Sequence, residues 1–199
     1  MAITYTDPLT AQLFGITGST ILVAYAMLRM AMGQDIKTVL KGLYAPLLAM
    51  GVYVFFSGLY GYFIWPLPGS YDILFYDMYA VFGVGLIAIA LCIKHDTKLE
   101  YIGFLALIYG VITIFYGYSG YSLGMTKEPA GMFALYALVG LSSIVFYFVS
   151  FGIDSGKVNK PLLYIEALLL ILGGLAAAYI AGSAVPSHLK MFGQYVPFI

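Results

Sequence analysis

Six long apolar runs, separated by short polar breaks, most limit how this chain can fold. They cover residues 10–32, 38–64, 72–93, 101–123, 131–153 and 161–184. An apolar helix of about 20 residues spans the hydrocarbon core of a bilayer, and each run is long enough. Only 9% of the residues are charged, whereas a soluble domain has about 25%. The pattern predicts an all-α integral membrane bundle of six transmembrane helices, in one domain over residues 1–199.

The basic residues predict the orientation of this bundle. Seven of the nine Lys and Arg residues lie at the first, third and fifth breaks, namely Arg29, Lys37, Lys41, Lys94, Lys98, Lys157 and Lys160. Only Lys127 and Lys190 lie on the other side. Because positive charge favours cytoplasmic loops, both termini are predicted outside. We expect a multi-pass protein of the cell (plasma) membrane, surrounded by membrane lipids.

Composition and motifs exclude several functional classes. A formal net charge of zero gives no basic surface for nucleic acid. The single cysteine, Cys92, rules out an intrachain disulfide and a cysteine metal cluster. His95 and His188 fall on opposite predicted sides, and no HExxH or GxSxG motif occurs. We therefore expect no enzyme, no catalytic residue, no metal site and no cofactor.

Segments of the chain resemble one another. GVYVFFSGLYGY from Gly51 and GVITIFYGYSGY from Gly110 match at six of twelve positions. The sixth run, YIEALLLILGG from Tyr164, resembles YIGFLALIYGV from Tyr101, and the odd runs share LFGI, VFGV and LVGL. Repeats around an axis along the membrane normal occur in transporters. The matches predict a two-helix hairpin repeated three times.

Glycines at seven-residue spacing mark the fourth run, at Gly103, Gly110, Gly117 and Gly124. A seven-residue period keeps one helix face against a neighbour in a left-handed crossing, and small residues let the two backbones approach closely. These glycines therefore predict close helix packing.

Polar side chains form stripes on the predicted helices. The fifth run carries Tyr136, Gly140, Ser143 and Tyr147 on one face, and the fourth carries Tyr109, Thr113 and Tyr116. A hydroxyl group in lipid needs a hydrogen-bond partner. Two interpretations stay open: hydrogen bonds between helices, worth about 0.6 kcal/mol each, or the lining of a narrow solute path.

Two acidic side chains fall within the predicted spans. Asp77 lies about one turn into the third run from outside, and Glu166 lies slightly more than one turn into the sixth from inside. Acids inside a membrane mark functional sites by default. The alternative is that each side chain reaches water at the membrane interface.

Two family resemblances accompany these patterns. The run LPGSYDILFYDMYAVFG, residues 67–83, resembles a family of archaeal and bacterial polytopic membrane proteins of unknown function. More remotely, the architecture is similar to the acid-gated urea channel and amide-transporter family, as are the runs Ile165-Glu166-Ala167-Leu168 and VFGVGLIAIALCIKHD. That similarity implies a homo-oligomer, in the form of a hexameric ring with a pore in each protomer.

We expect a passive channel or facilitator for a small neutral polar solute, similar to urea or an amide. Hydroxyl groups would line its path, with Glu166 near the inner mouth and Asp77 near the outer mouth accepting hydrogen bonds from the solute. Two alternatives stay open. The first alternative is a non-catalytic structural subunit of a larger membrane complex. The second is a proton-coupled transporter that uses both acids as relay sites.

Overall fold

The computed structural model describes residues 7–191 and consists of six long α-helices. These are α1 (Leu9–Ala31), α2 (Ile36–Ile64), α3 (Tyr71–His95), α4 (Glu100–Ser122), α5 (Pro129–Asp154) and α6 (Lys160–Met191). No strand occurs in this part of the chain. All six helices are long and apolar enough to cross a membrane. The predicted fold class is confirmed, and the chain is a multi-pass membrane protein.

The helices begin and end within two residues of the apolar runs, except at the end of α6. This helix continues to Met191, past Pro186, where the sequence predicted a break after Ala184. His188 holds the extension against the start of α1. Its Nδ1 lies 2.9 Å from Thr10 Oγ1, and its Nε2 lies 3.3 Å from Asp7 Oδ2. The break was predicted from local residues, whereas the extension rests on a contact across the chain.

The helices form a ring in chain order, with α6 beside α1. Three neighbouring pairs pack extensively: α2 with α3, α4 with α5, and α6 with α1. The pairs α1 with α2 and α5 with α6 pack less extensively, and α3 touches α4 least. The ring therefore consists of three tight pairs, and its weakest side lies between α3 and α4.

Glycines set the short distance within the tight pairs. A Cβ atom added to Gly110 on α4 would lie 2.5 Å from the carbonyl oxygen of Gly140 on α5. One added to Gly58 on α2 would lie 2.8 Å from the Cα of Ala80 on α3. Because real Cβ atoms do not approach so closely, the backbones touch only where the side chain is hydrogen.

The contacts of one tight pair recur in another. Gly83 on α3 faces Phe55 on α2, and Gly140 on α5 faces Ile114 on α4. Phe55 and Ile114 are 59 positions apart, as are Gly51 and Gly110, at which the matching sequence segments begin. The sequence match therefore coincides with a repeated interface between helices.

Side chains cap the three helices that start at the lysine-rich end. Asp35 Oδ2 accepts hydrogen bonds from the Thr38 amide and hydroxyl, both at 2.8 Å. These bonds hold the pKa of the Asp35 carboxyl below its usual value. Asp154 accepts the Leu99 and Glu100 amides at the start of α4, both at 2.9 Å. Asn159 accepts the Leu162 amide in α6 at 3.2 Å. Each cap satisfies amides that a helix start leaves unbonded.

A leucine at Gly110 tests the tight packing of α4 on α5. Since its side chain would collide with the α5 backbone, we expect Gly110→Leu to destabilise the bundle by about 1–3 kcal/mol. The matched control is Gly42→Leu, because Gly42 is exposed and a Cβ there meets no atom within 4 Å. Thermal unfolding of both variants in detergent measures the difference. Equal midpoints for the two variants would contradict the packing.

Candidate functional site

A chamber of about 320 Å³ lies inside the ring, and all six helices contribute to its wall. Most wall residues are Leu, Ile, Val, Phe or Met. The polar side chains on the wall are Gln12, Ser19, Thr20, Tyr79, Tyr109, Thr113, Tyr136, Ser142, Ser143 and Glu166. Its volume lies at the lower end of the range for ligand pockets, about 300–1,000 Å³. The chamber therefore has the size and character of a site for one small molecule.

Glu166 is the charged residue on the wall among residues 7–191, and it is 1% exposed. Its Oε1 accepts a hydrogen bond from Ser142 Oγ at 2.8 Å. Its Oε2 is buried and has no hydrogen-bond partner within the described chain. A buried polar atom without a partner carries a desolvation cost. This oxygen is therefore available to accept a hydrogen bond from a molecule in the chamber.

Four other residues predicted to line a solute path also lie on the chamber wall: Tyr109, Thr113, Tyr136 and Ser143. Several of their hydroxyl groups already donate to backbone carbonyls. Thr113 donates to Tyr109 at 2.7 Å, Ser143 to Val139 at 3.0 Å, and Tyr136 to Leu74 at 2.6 Å. Those three hydroxyls keep only lone pairs for a ligand, so the wall offers acceptors more than donors.

The other residues predicted for a solute path lie away from the chamber wall. Asp77 accepts a hydrogen bond from the Tyr116 hydroxyl at 2.9 Å, which joins α3 to α4. The Tyr147 ring packs edge-on against Phe151, with centroids 4.9 Å apart. Gly140 packs against α4. The stripes therefore divide, since some polar groups face the chamber and others join helices, and the solute path stays a prediction.

Three of the four glycines predicted for close packing lie in the α4–α5 contact, and the fourth, Gly124, does not. Gly103, Gly110 and Gly117 face α5, and Gly120 continues their packed face. Gly124 instead lies two residues past the end of α4, has φ +60°, and would place a Cβ in open space. Its amide donates to the Tyr121 carbonyl at 3.0 Å, so it closes the helix end rather than packing against a neighbour.

Sequence reasoning missed two buried polar residues near the predicted outer end. Gln12 lies on the chamber wall and donates from Nε2 to the Ser57 carbonyl at 2.9 Å. Asp72 Oδ2 accepts the Leu67 amide at 3.0 Å, which fixes the loop before α3. A glutamine inside an apolar run is a signal in itself, because its amide needs partners in lipid. Asp72 gave no such signal, since it is the first residue of its apolar run and could face water there.

The chamber reaches the outside of the bundle on one side. Three wall residues are exposed: Val84 (50%), Leu105 (48%) and Tyr109 (39%), all on α3 or α4. Towards the two ends of the chamber no wall residue is exposed within residues 7–191, and Leu13 at one end and Met27 and Leu99 at the other are buried. The chamber therefore opens sideways, at the weakest contact of the ring.

No group of three or more His, Cys, Asp and Glu side chains that could hold a metal ion lies within residues 7–191. The chamber thus combines a sideways opening, a mostly apolar wall and one acidic side chain.

A family model matches residues 1–191, which is nearly the whole chain. The chain belongs to the family described as "Protein of unknown function (DUF981)". The resemblance to a polytopic membrane family of unknown function is thereby confirmed. A comparison with curated proteins found no match. The similarity to urea channels and amide transporters is not supported by these comparisons and stays a hypothesis.

A double-mutant cycle tests the contact between Ser142 and Glu166. Ser142→Ala leaves the carboxylate without its hydrogen bond, whereas in a Glu166→Leu background the same change has nothing to break. We expect a coupling energy of about 1 kcal/mol between the two sites. Reversible unfolding in mixed micelles measures it. Additive effects would show that the hydrogen bond contributes no stability.

Proposed function

We propose that this protein is a passive facilitator for a small neutral solute across the cell membrane, with the central chamber as part of the path. The observation that carries this proposal is the lining of the chamber by all six helices around one buried acidic side chain. A ring in which every helix contributes to one internal space is suited to enclosing a solute within the membrane.

The apolar wall favours neutral solutes over ions. An ion that enters such a chamber loses its hydration shell, and the wall supplies few groups to replace it. Lys and Arg are absent from the wall within residues 7–191. Among these residues an anion therefore finds no basic partner on the wall.

The hydrogen-bonding groups of the wall indicate which neutral solute fits. Glu166 Oε2 accepts hydrogen bonds, as do the hydroxyl oxygens whose own hydrogens are bound to carbonyls. A suitable solute has an N–H or O–H group to donate and an apolar part to lie against leucine and valine. We therefore propose short alkyl amides and alcohols as better solutes than urea.

Passage requires movement at both ends of the chamber. The wall residues there are buried and mostly apolar, with Leu13 at one end and Met27 and Leu99 at the other. Apolar constrictions of this kind gate pores by excluding water. The proposed facilitator opens when these side chains move apart, and several copies are expected to assemble in the membrane.

A bulky residue at Gly85 tests whether solute crosses through the chamber. Gly85 lies on the wall, and a Cβ there meets no atom within 4 Å, so the side chain in Gly85→Phe starts in open space. Its matched control is Gly182→Phe, since Gly182 is exposed on α6 and equally free of neighbours. We expect wild type and control to accelerate propionamide-driven swelling of proteoliposomes, and Gly85→Phe to reduce the rate to that of empty liposomes. Stopped-flow light scattering measures the swelling.

The same assay applies to Glu166. In Glu166→Gln the amide oxygen keeps the hydrogen bond from Ser142, and the amide nitrogen replaces the free acceptor with a donor. We expect propionamide flux to fall about tenfold, equivalent to the loss of about 1.4 kcal/mol of solute interaction. Unchanged flux in this variant would remove Glu166 from the path.

The wild-type protein itself decides between the proposal and its main alternative. If amides, alcohols, urea and water all cross no faster than in empty liposomes, the facilitator is refuted. In that case the structural-subunit alternative gains weight, and purification with one stoichiometric partner would support it.

A further inference from the structure

The side of the ring between α3 and α4 has properties that a path between the two aqueous faces does not require. The exposed wall residues Val84, Leu105 and Tyr109 all lie there. Each belongs to a membrane-spanning helix, so this opening faces the acyl chains of the bilayer. A molecule dissolved in the membrane can therefore reach the chamber directly.

Glu166 faces this opening across the ring. It belongs to α6, which stands opposite α3 in the order of the six helices. It lies six residues from the start of α6, or about 9 Å along the helix, and Leu105 lies five residues from the start of α4, or about 8 Å. Tyr109 and Val84 lie deeper, about 14 and 17 Å from the same end of the bundle, so Glu166 is level with the inner part of the opening.

The chamber combines two features that select a ligand. Its wall is mostly apolar and borders acyl chains on one side, and its far wall carries the buried Glu166 Oε2 without a partner. An apolar tail fits the first feature, and a single hydroxyl or N–H group fits the second. A volume of about 320 Å³ holds a medium-chain molecule rather than a whole phospholipid.

We propose that the chamber binds a membrane-dissolved amphiphile, a medium-chain alcohol or amide, that enters between α3 and α4 and donates a hydrogen bond to Glu166. The tail lies along the apolar wall towards the opening, and the head group supplies the partner that Oε2 lacks. The proposed binding of an amphiphile does not depend on whether the chamber also conducts a solute.

Photolabelling of the whole protein in liposomes tests this inference. The probe is a decanol that carries a diazirine in its chain, and the comparison probe is the corresponding decane without the hydroxyl. After irradiation, mass spectrometry locates the labelled residues. We expect the decanol to label chamber residues near Val84, Leu105 and Glu166, and unlabelled decanol in excess to abolish this labelling.

Three variants separate the chamber from the outer surface of the bundle. Gly85→Trp fills the chamber and should remove the chamber label, whereas Gly182→Trp places the same side chain on the outside and should leave it unchanged. Glu166→Leu should reduce decanol labelling about tenfold, to the level of the decane probe, because it removes the acceptor. If Gly85→Trp fails to purify as a single species, Val84→Trp at the opening replaces it.

Two results would overturn the inference. One is labelling confined to outward-facing residues and unaffected by Gly85→Trp or excess decanol. The other is an absence of label on every chamber residue, which would show that the probe cannot enter between α3 and α4. Photolabelling also separates this inference from the facilitator, since swelling can fail while the probe still binds.

Discussion

The close approach of paired helices at glycine is the contact on which the rest of this bundle depends. In lipid, helices gain little from hiding apolar side chains, so packing of backbone against backbone supplies much of the attraction. Gly58, Gly83 and Gly110 allow this approach within the tight pairs. The α3–α4 side lacks such extensive packing and forms the weakest contact in the ring. The position of the chamber opening is thus a consequence of where the tight pairs are.

The absence of water from the membrane interior explains how the polar side chains are arranged. Most serine and threonine hydroxyl groups in the spans donate to carbonyls of their own helix, as Thr113 and Ser143 do. A carboxylate cannot satisfy itself in this way, because it has no hydrogen to donate when ionised. Glu166 therefore depends on Ser142 for one oxygen, and its other oxygen is left to the chamber.

The six helices could be predicted from the sequence because each depends on about 20 consecutive residues, and the length of the apolar run decides whether a helix can span the membrane. The glycine face of α4 followed for the same reason, since a seven-residue spacing is visible without knowing the partner. Gly140 could not be assigned, because a stripe on α5 fits both the chamber and the α4 interface until the rotation of the helix is known. The predicted end of α6 was wrong for a similar reason, since His188 contacts residues near the other end of the chain.

The candidate site was only partly visible in the sequence. An acid in an apolar run drew attention to Glu166, and its burial confirms that it lies inside the bundle. Asp77 gave the same signal but pairs with Tyr116 between two helices. Nothing in the sequence could reveal the sideways opening, because it depends on how loosely α3 packs against α4.

The cap at Asp154 has a mechanical consequence for that opening. Its two carboxylate oxygens join the end of α5 to the start of α4, and the glycine contacts join the same helices along their length. α4 is therefore stiffened against bending by its partner. Because α3 is joined to α2 in the same way, widening between α3 and α4 requires a whole helix pair to move as one rigid lever, with the short loops at its ends as hinges.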